Sequence, residues 1–276
     1  MTSDIVLAID IGGTKLEAGL VARDGSIVRR ARTATLARAD GETLFTALTE
    51  LIDDVLADGP GPSVCGVGTG GPMTAQGATV SPINIPAWRG FPLRERLVGH
   101  LGLPTFVDND AKALALAEGW VGAAVGTADF VAMVVSTGVG GGIVLDGRLL
   151  DGAEGNAGHI GHVIVEPGGH RCGCGARGCL EAEASGTAIA AITGRPPVDA
   201  GPDVILRTGT LVGRAVASVA NLLDLRLAVV AGSVALGFGD PFFAAAQAEL
   251  DRCARLDFSV GAQIRPGQLG ADGPLV

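Results

Sequence analysis

One stretch of the chain reads His162-Val-Ile-Val-Glu-Pro-Gly-Gly-His-Arg-Cys172-Gly-Cys174-Gly-Ala-Arg-Gly-Cys179-Leu-Glu181. Three thiolates and one imidazole make a complete tetrahedral zinc set. Glycines beside the cysteines let the backbone turn tightly enough for all three sulfurs to reach one ion. A site closed by four protein ligands is structural, so a zinc on His162, Cys172, Cys174 and Cys179 is expected to shape a loop. His170 is a rival for the fourth position, which spacing alone does not exclude. The loop carries Glu181 and the run Gly158-His159-Ile160-Gly161-His162, which is suited to gripping a polar ligand. The competing reading is a disulfide. The chain has five cysteines, an odd number, and Cys172, Cys174 and Cys179 crowd too closely for an ordinary disulfide framework. Cys65 and Cys253 stand alone and read as packing residues.

Two glycine turns offer a second kind of chemistry. Asp10-Ile-Gly12-Gly13-Thr14-Lys15 and Ser136-Thr137-Gly138-Val139-Gly140-Gly141-Gly142 each follow an apolar run. Consecutive backbone N–H groups on such turns bind phosphate oxygens. Asp10, at a strand end, can hold Mg²⁺ through water, and a metal that keeps several waters suits a nucleoside triphosphate. An ordinary hairpin explains one such turn, and two turns in repeated settings favour a clamped polyphosphate. Gly66-Val-Gly68-Thr-Gly70-Gly71 matches a dinucleotide fingerprint on letters only, because Pro72 follows and no helix opens there.

The elements around these motifs repeat. An apolar strand over residues 5–9 turns, returns over 16–22, and passes Asp24-Gly25 into 27–33. Residues 130–135, 143–145 and 148–150 follow the same plan, with Asp146-Gly147 at the second turn. This is an internal duplication, and it predicts two related lobes, 1–120 and 121–276, facing each other across a cleft. Helices are expected over 42–57, 111–118, 186–192, 203–223 and 241–255, and strands over 64–67, 105–107 and 227–230. Strands alternating with helices define an α/β protein.

Composition excludes other classes. The 276 residues are 47% hydrophobic and 18% charged, which argues against disorder. A net charge of −9 argues against a nucleic-acid partner. No apolar run reaches the roughly 20 residues that span a bilayer, so no membrane partner is expected. Unpaired cysteines and the lack of an export signal predict a cytoplasmic location.

Together these residues resemble the ROK family of sugar kinases, which have the two-lobed actin-like, hexokinase-type ATPase fold. The likeness covers nearly the whole chain and rests on residues 10–15, Asn109-Asp110, 136–142, 158–162 and 172–181. It implies transfer of the ATP γ-phosphoryl group to the primary hydroxyl of a hexose. Asp110 matches the catalytic base. Asn109, His162 and Glu181 match sugar-binding positions, and Gly71 and Asn84 match further ones. His162 would bind zinc through one ring nitrogen and sugar through the other. Gly232-Ser233 matches the turn that receives adenosine. Asp10, Gly12, Gly13, Thr14, Lys15, Thr137, Gly138 and Gly140 fall to the nucleotide and its Mg²⁺.

Glucose-type members have Glu where this chain has His159, and the string Gly-His-Ile-Gly-His resembles the bacterial N-acetylmannosamine kinases. An imidazole offers one donor and one acceptor and can face an acetamido group, so the expected acceptor is N-acetylmannosamine. The alternatives are an ATP- or polyphosphate-dependent glucokinase, a silent sugar-binding regulator, and a zinc redox sensor. The likeness also implies a homodimer. It implies no N-terminal DNA-binding domain, because the first turn begins at Asp10, and family members usually carry a final helix beyond a segment like residues 270–276.

Overall fold

The apolar run that opens the chain forms strand β1 (Ile5–Ile11), which pairs antiparallel with β2 (Lys15–Ala22). Asp24-Gly25 turns the chain into β3 (Ile27–Ala34), with Gly25 at φ 83°. The structure, a computed structural model, describes residues 4–36 and 38–276. Helix α1 (Gly41–Ala57) starts at Asp40, whose carboxylate accepts from the amides of Glu42 and Thr43 and so satisfies two orphan donors of the first turn. Its apolar residues Leu44, Leu48, Leu51, Ile52 and Val55 recur at helical spacing and are buried. Strand β4 (Val64–Thr69) adds parallel to β1. After helix α2 (Leu93–Leu101), strand β5 (Thr105–Asn109) adds parallel to β4. The sheet order is β3-β2-β1-β4-β5. Helix α3 (Asp110–Val121) begins where β5 stops.

The second half repeats this order. Strands β6 (Phe130–Val135), β7 (Val139–Leu145) and β8 (Arg148–Leu149) form an antiparallel meander. Short helices α4 (Leu180–Ala184) and α5 (Gly186–Thr193) follow, then the long helix α6 (Pro202–Leu223). Strand β9 (Leu227–Ala231) adds parallel to β6, helix α7 (Ser233–Cys253) follows, and β10 (Gln263–Pro266) adds parallel to β9. The order β8-β7-β6-β9-β10 matches the first sheet strand for strand, with the same directions at every pairing. The duplication expected from the turns is therefore a duplication of whole sheets.

Two contact units result. One runs to Ala117 and includes Asp151–Ala157 and Ala271–Val276; the other comprises Glu118–Leu150 and Gly158–Gly270. The first has its core where Leu7, Ile9, Leu16 and Leu20 meet α1. The second is centred on Val131, Met133, Val212, Val216 and Phe242. In the first unit, Lys112 on α3 is 2% exposed, and its ammonium lies 3.0 Å from Asp108 and 2.9 Å from Asp151. Among the described residues, no helix is long and apolar enough to cross a membrane.

Three elements escape the hydrophobic pattern. Helix α2 buries only Leu93 and Leu97, helix α4 has five residues, and β10 buries only Ile264. Strands β1 and β7 also run closer to their turns than the sequence suggests. Gly140, Gly141 and Gly142 pair with Val134, Met133 and Ala132 as strand residues, so the turn proper is residues 136–138. Tertiary pairing holds these glycines in a strand despite their low β-propensity. Helix α7 begins at Ser233 and is interrupted at Gly239, where φ is 61°, so Pro241 opens its second part instead of the whole helix.

Candidate functional site

In the first unit, β5 delivers Asn109 and Asp110 to the start of α3. The Ala111 amide donates to Asn109 Oδ1 at 3.0 Å and to Asp110 Oδ1 at 2.8 Å. Asn109 therefore shares the capping, and the Asp110 side chain stays exposed at the helix N-terminus, where the dipole favours its ionised form. A Cβ on Gly71 would lie 3.6 Å from Asn109 Nδ2, and one on Gly13 would lie 2.5 Å from Asn84 Cβ. Gly71 thus sits beside Asn109, and Asn84 sits beside the first glycine turn.

Asp10 pairs with Gly68 on β4, and a Cβ on Gly68 would stand 3.5 Å from Asp110 Cα. The glycine that looked like part of a nucleotide fingerprint instead leaves room between two strands and the start of α3. Burial pushes the Asp10 carboxyl up to about 7, Lys15 opposes the rise, and the charges of Asp110 and Glu17 add to it. A carboxylate destabilised in this way is one whose ionised form a divalent cation would restore. Gly12 and Thr14 hold the turn together: the Gly12 amide donates to Lys15 O, and Thr35 donates to both Thr14 O and Gly12 O. Lys15 Nζ lies 2.5 Å from Glu17 and 3.9 Å from Asp10. Glu17 was not foreseen as its partner; it is buried and also takes Arg30 at 3.0 Å.

In the second unit, the ligand atoms of His162, Cys172, Cys174 and Cys179 all lie within 4.8 Å of one another. Tetrahedral zinc geometry sets sulfur pairs about 3.8 Å apart and sulfur–nitrogen pairs about 3.6 Å apart. Cys174 and Cys179 Sγ are 3.7 Å apart, and Cys172 Sγ is 3.7 Å from His162 Nδ1. The cluster is compatible with a structural zinc. His170 is not part of it, because its Nδ1 donates to Glu183 at 2.9 Å.

Cys179 leads straight into α4, whose Glu181 accepts from the Val139 amide at 3.1 Å. A Cβ on Gly138 would lie 3.0 Å from Glu181 Oε2, so the cysteine loop and the second glycine turn meet at Glu181. His159 caps and His162 ends a single 3-10 turn (Ile160–His162), and their exposed rings have centroids 6.0 Å apart. This turn lies directly on β7. A Cβ on Gly161 would stand 2.2 Å from Val139 O, a backbone atom with no rotamer to yield. Gly161→Ala is therefore expected to cost about 1–3 kcal/mol, the usual range for forced overpacking. Urea denaturation checks this, and an unchanged midpoint would contradict the packing argument.

Thr137 lines a pocket of ≈ 530 Å³ together with Thr187, Pro197, Ser233, Val234 and Phe238. Gly232 starts α7 at φ 99°, and a Cβ there would meet Val135 O at 2.4 Å. Ser136 and Ser233 hydroxyls are 2.9 Å apart, joining the glycine turn to that helix start. The wall at residues 196–198 was not anticipated; its Pro-Pro-Val apolar run was the available signal.

Comparison with known proteins fits this arrangement. The ROK family model matches residues 6–272. A glucokinase of Thermotoga maritima is 41% identical over 186 residues, 67% of this chain and 58% of that protein. An N-acetylmannosamine kinase of Citrobacter koseri is 39% identical over 250 residues, 84% of each chain. The solved ROK family glucokinase of Streptomyces griseus, in complex with glucose and AMPPNP, superposes with a TM-score of 0.84 at 29% identity, covering 98% of this chain and 96% of that one. This chain belongs to the ROK family, and the sugar kinases among its relatives share its two-sheet α/β fold.

Proposed function

We propose that this sugar kinase transfers the γ-phosphoryl group of ATP to the 6-hydroxyl of N-acetylmannosamine. One observation carries the choice of acceptor. His159 presents an exposed imidazole beside His162, at the position where the family likeness gives glucose-type members a carboxylate. An imidazole can donate to or accept from an acetamido group, which a carboxylate can only accept from. The Citrobacter relative supports the same acceptor.

In this reading Asp110 takes the proton of the attacking hydroxyl, and Asn109, His162 and Glu181 orient the sugar with Gly71 and Asn84. His162 keeps Nδ1 toward the thiolates, which leaves Nε2 for a sugar hydroxyl. Zinc held by His162, Cys172, Cys174 and Cys179 would supply a rigid loop. Asp10 would hold a hydrated Mg²⁺, which contributes positive charge against the phosphates. The turns at Gly12-Gly13-Thr14 and Thr137-Gly138 would bind phosphate through backbone amides. Lys15 would add charge on the side nearest Asp10. The pocket beside Gly232 is within the size range of small-ligand sites and would take the adenosine.

Coupled ADP-release assays across N-acetylmannosamine, N-acetylglucosamine, glucose and mannose test the acceptor. A ranking led by glucose would support the second reading, a glucokinase, which the Thermotoga relative favours. His159→Glu is expected to shift kcat/KM toward glucose by about 10-fold or more, the scale of one gained or lost polar contact. An unchanged ranking would make His159 incidental.

A further inference from the structure

Two glutamates leave the metal loop on α4, and only Glu181 has a role so far. Glu183 is fully buried, with 0% of its side chain exposed. It accepts from the His170 amide at 2.5 Å, from His170 Nδ1 at 2.9 Å and from Arg207 Nη2 on α6 at 2.6 Å. Arg207 Nη1 also donates to the Glu183 carbonyl at 3.0 Å. Burial opposes ionisation of Glu183, but the hydrogen bonds from His170 and Arg207 outweigh it and hold its carboxyl below the ordinary range. The other end of this network is the metal loop itself, since the Gly178 amide donates to the His170 carbonyl at 2.9 Å, next to Cys179.

Helix α4 has five residues, too few to hold its orientation by backbone hydrogen bonds alone. Residues two apart on a helix point about 200° away from each other. Glu181 is tied to Val139 on one side, and Glu183 is tied to His170 and Arg207 on the other. The helix is thus fixed from both faces by its two carboxylates.

We propose that Glu183, clamped by Arg207 and His170, is a positioning residue that sets the aim of Glu181 toward the sugar by locking the metal loop onto α6. This rests on the sugar-kinase reading above. Nothing in the chemistry requires Glu183 to touch substrate, so its loss acts through Glu181 and the loop.

The test uses Glu183→Gln, which keeps the volume but puts an amide NH₂ in place of one of the two oxygens that the donors of His170 and Arg207 share. Zinc release from the loaded protein to a colorimetric chelator is expected to speed up by about 10-fold, because the loop that holds the four ligands loses its tie to α6. The sugar KM should rise by about 10-fold, with kcat and the ATP KM near parental values. Arg207→Lys, which restores one charged donor, should fall between the parent and Arg207→Ala. An unchanged sugar KM in Glu183→Gln overturns the proposal, even if the melting temperature drops, because a merely structural role would produce that drop alone. If the parent phosphorylates no hexose, the sugar-kinase reading has failed. Zinc release then decides alone whether Glu183 locks the loop, and a parental release rate overturns that too.

Discussion

Asp110→Asn is expected to cut turnover by about 10²-fold or more, the scale of losing a general base, or about 2.7 kcal/mol of barrier. The substitution removes one thing only. Asparagine caps a helix as well as aspartate does, and Asn109 already accepts from the Ala111 amide, so α3 should start where it does now. Volume and hydrogen-bond reach are kept, and only the basic oxygen is lost. Sugar affinity by calorimetry should therefore stay near the parental value while steady-state kcat falls. The separation of these two readouts is what identifies a base. If kcat and affinity fell together, Asp110 would be a binding residue, and near-parental turnover would remove it from the chemistry.

The other large effect is expected at the proposed zinc cluster. Cys174→Ser replaces a thiolate with a hydroxyl, which is a poor zinc ligand at neutral pH, and leaves three ligands in a site built for four. Elemental analysis should find well below one zinc per chain. Glu181 lies two residues beyond Cys179 and its carboxylate reaches the Val139 amide, so loosening the loop misplaces it. The sugar KM should rise by about 10- to 100-fold, while the ATP KM changes far less. A parent protein without stoichiometric zinc would end this account of the loop, as would a Cys174→Ser variant with parental sugar KM.

The features legible in the sequence share one property: each is decided by neighbours a few residues apart. Asp24-Gly25 and Asp146-Gly147 dictate tight hairpins because those residues tolerate positive φ, and Gly25, Asp146 and Gly147 adopt it. The amphipathic stripe of α1 needs only the 3.6-residue repeat to be recognised. The elements that stayed hidden are those stabilised from outside. Helix α2 shows little apolar pattern, and β10 is a polar edge strand held by its ladder to β9. Family likeness added what spacing could not, above all the roles proposed for Asp110 and Gly232.

Donor chemistry, turn residues and the repeated strand plan belong to the sequence, because bond geometry and backbone sterics act locally and leave their mark in residue type. Partner choice belongs to the tertiary structure. Two histidines stand at workable distances from the cysteines, and only the folded loop turns His162 to the sulfurs while a buried Glu183 takes His170. Lys112 meets Asp151, 39 residues further along the chain, in a pairing that no local rule foretells. A buried charge must find its counter-charge wherever the packing brings one, and that place is known only once distant segments have come together.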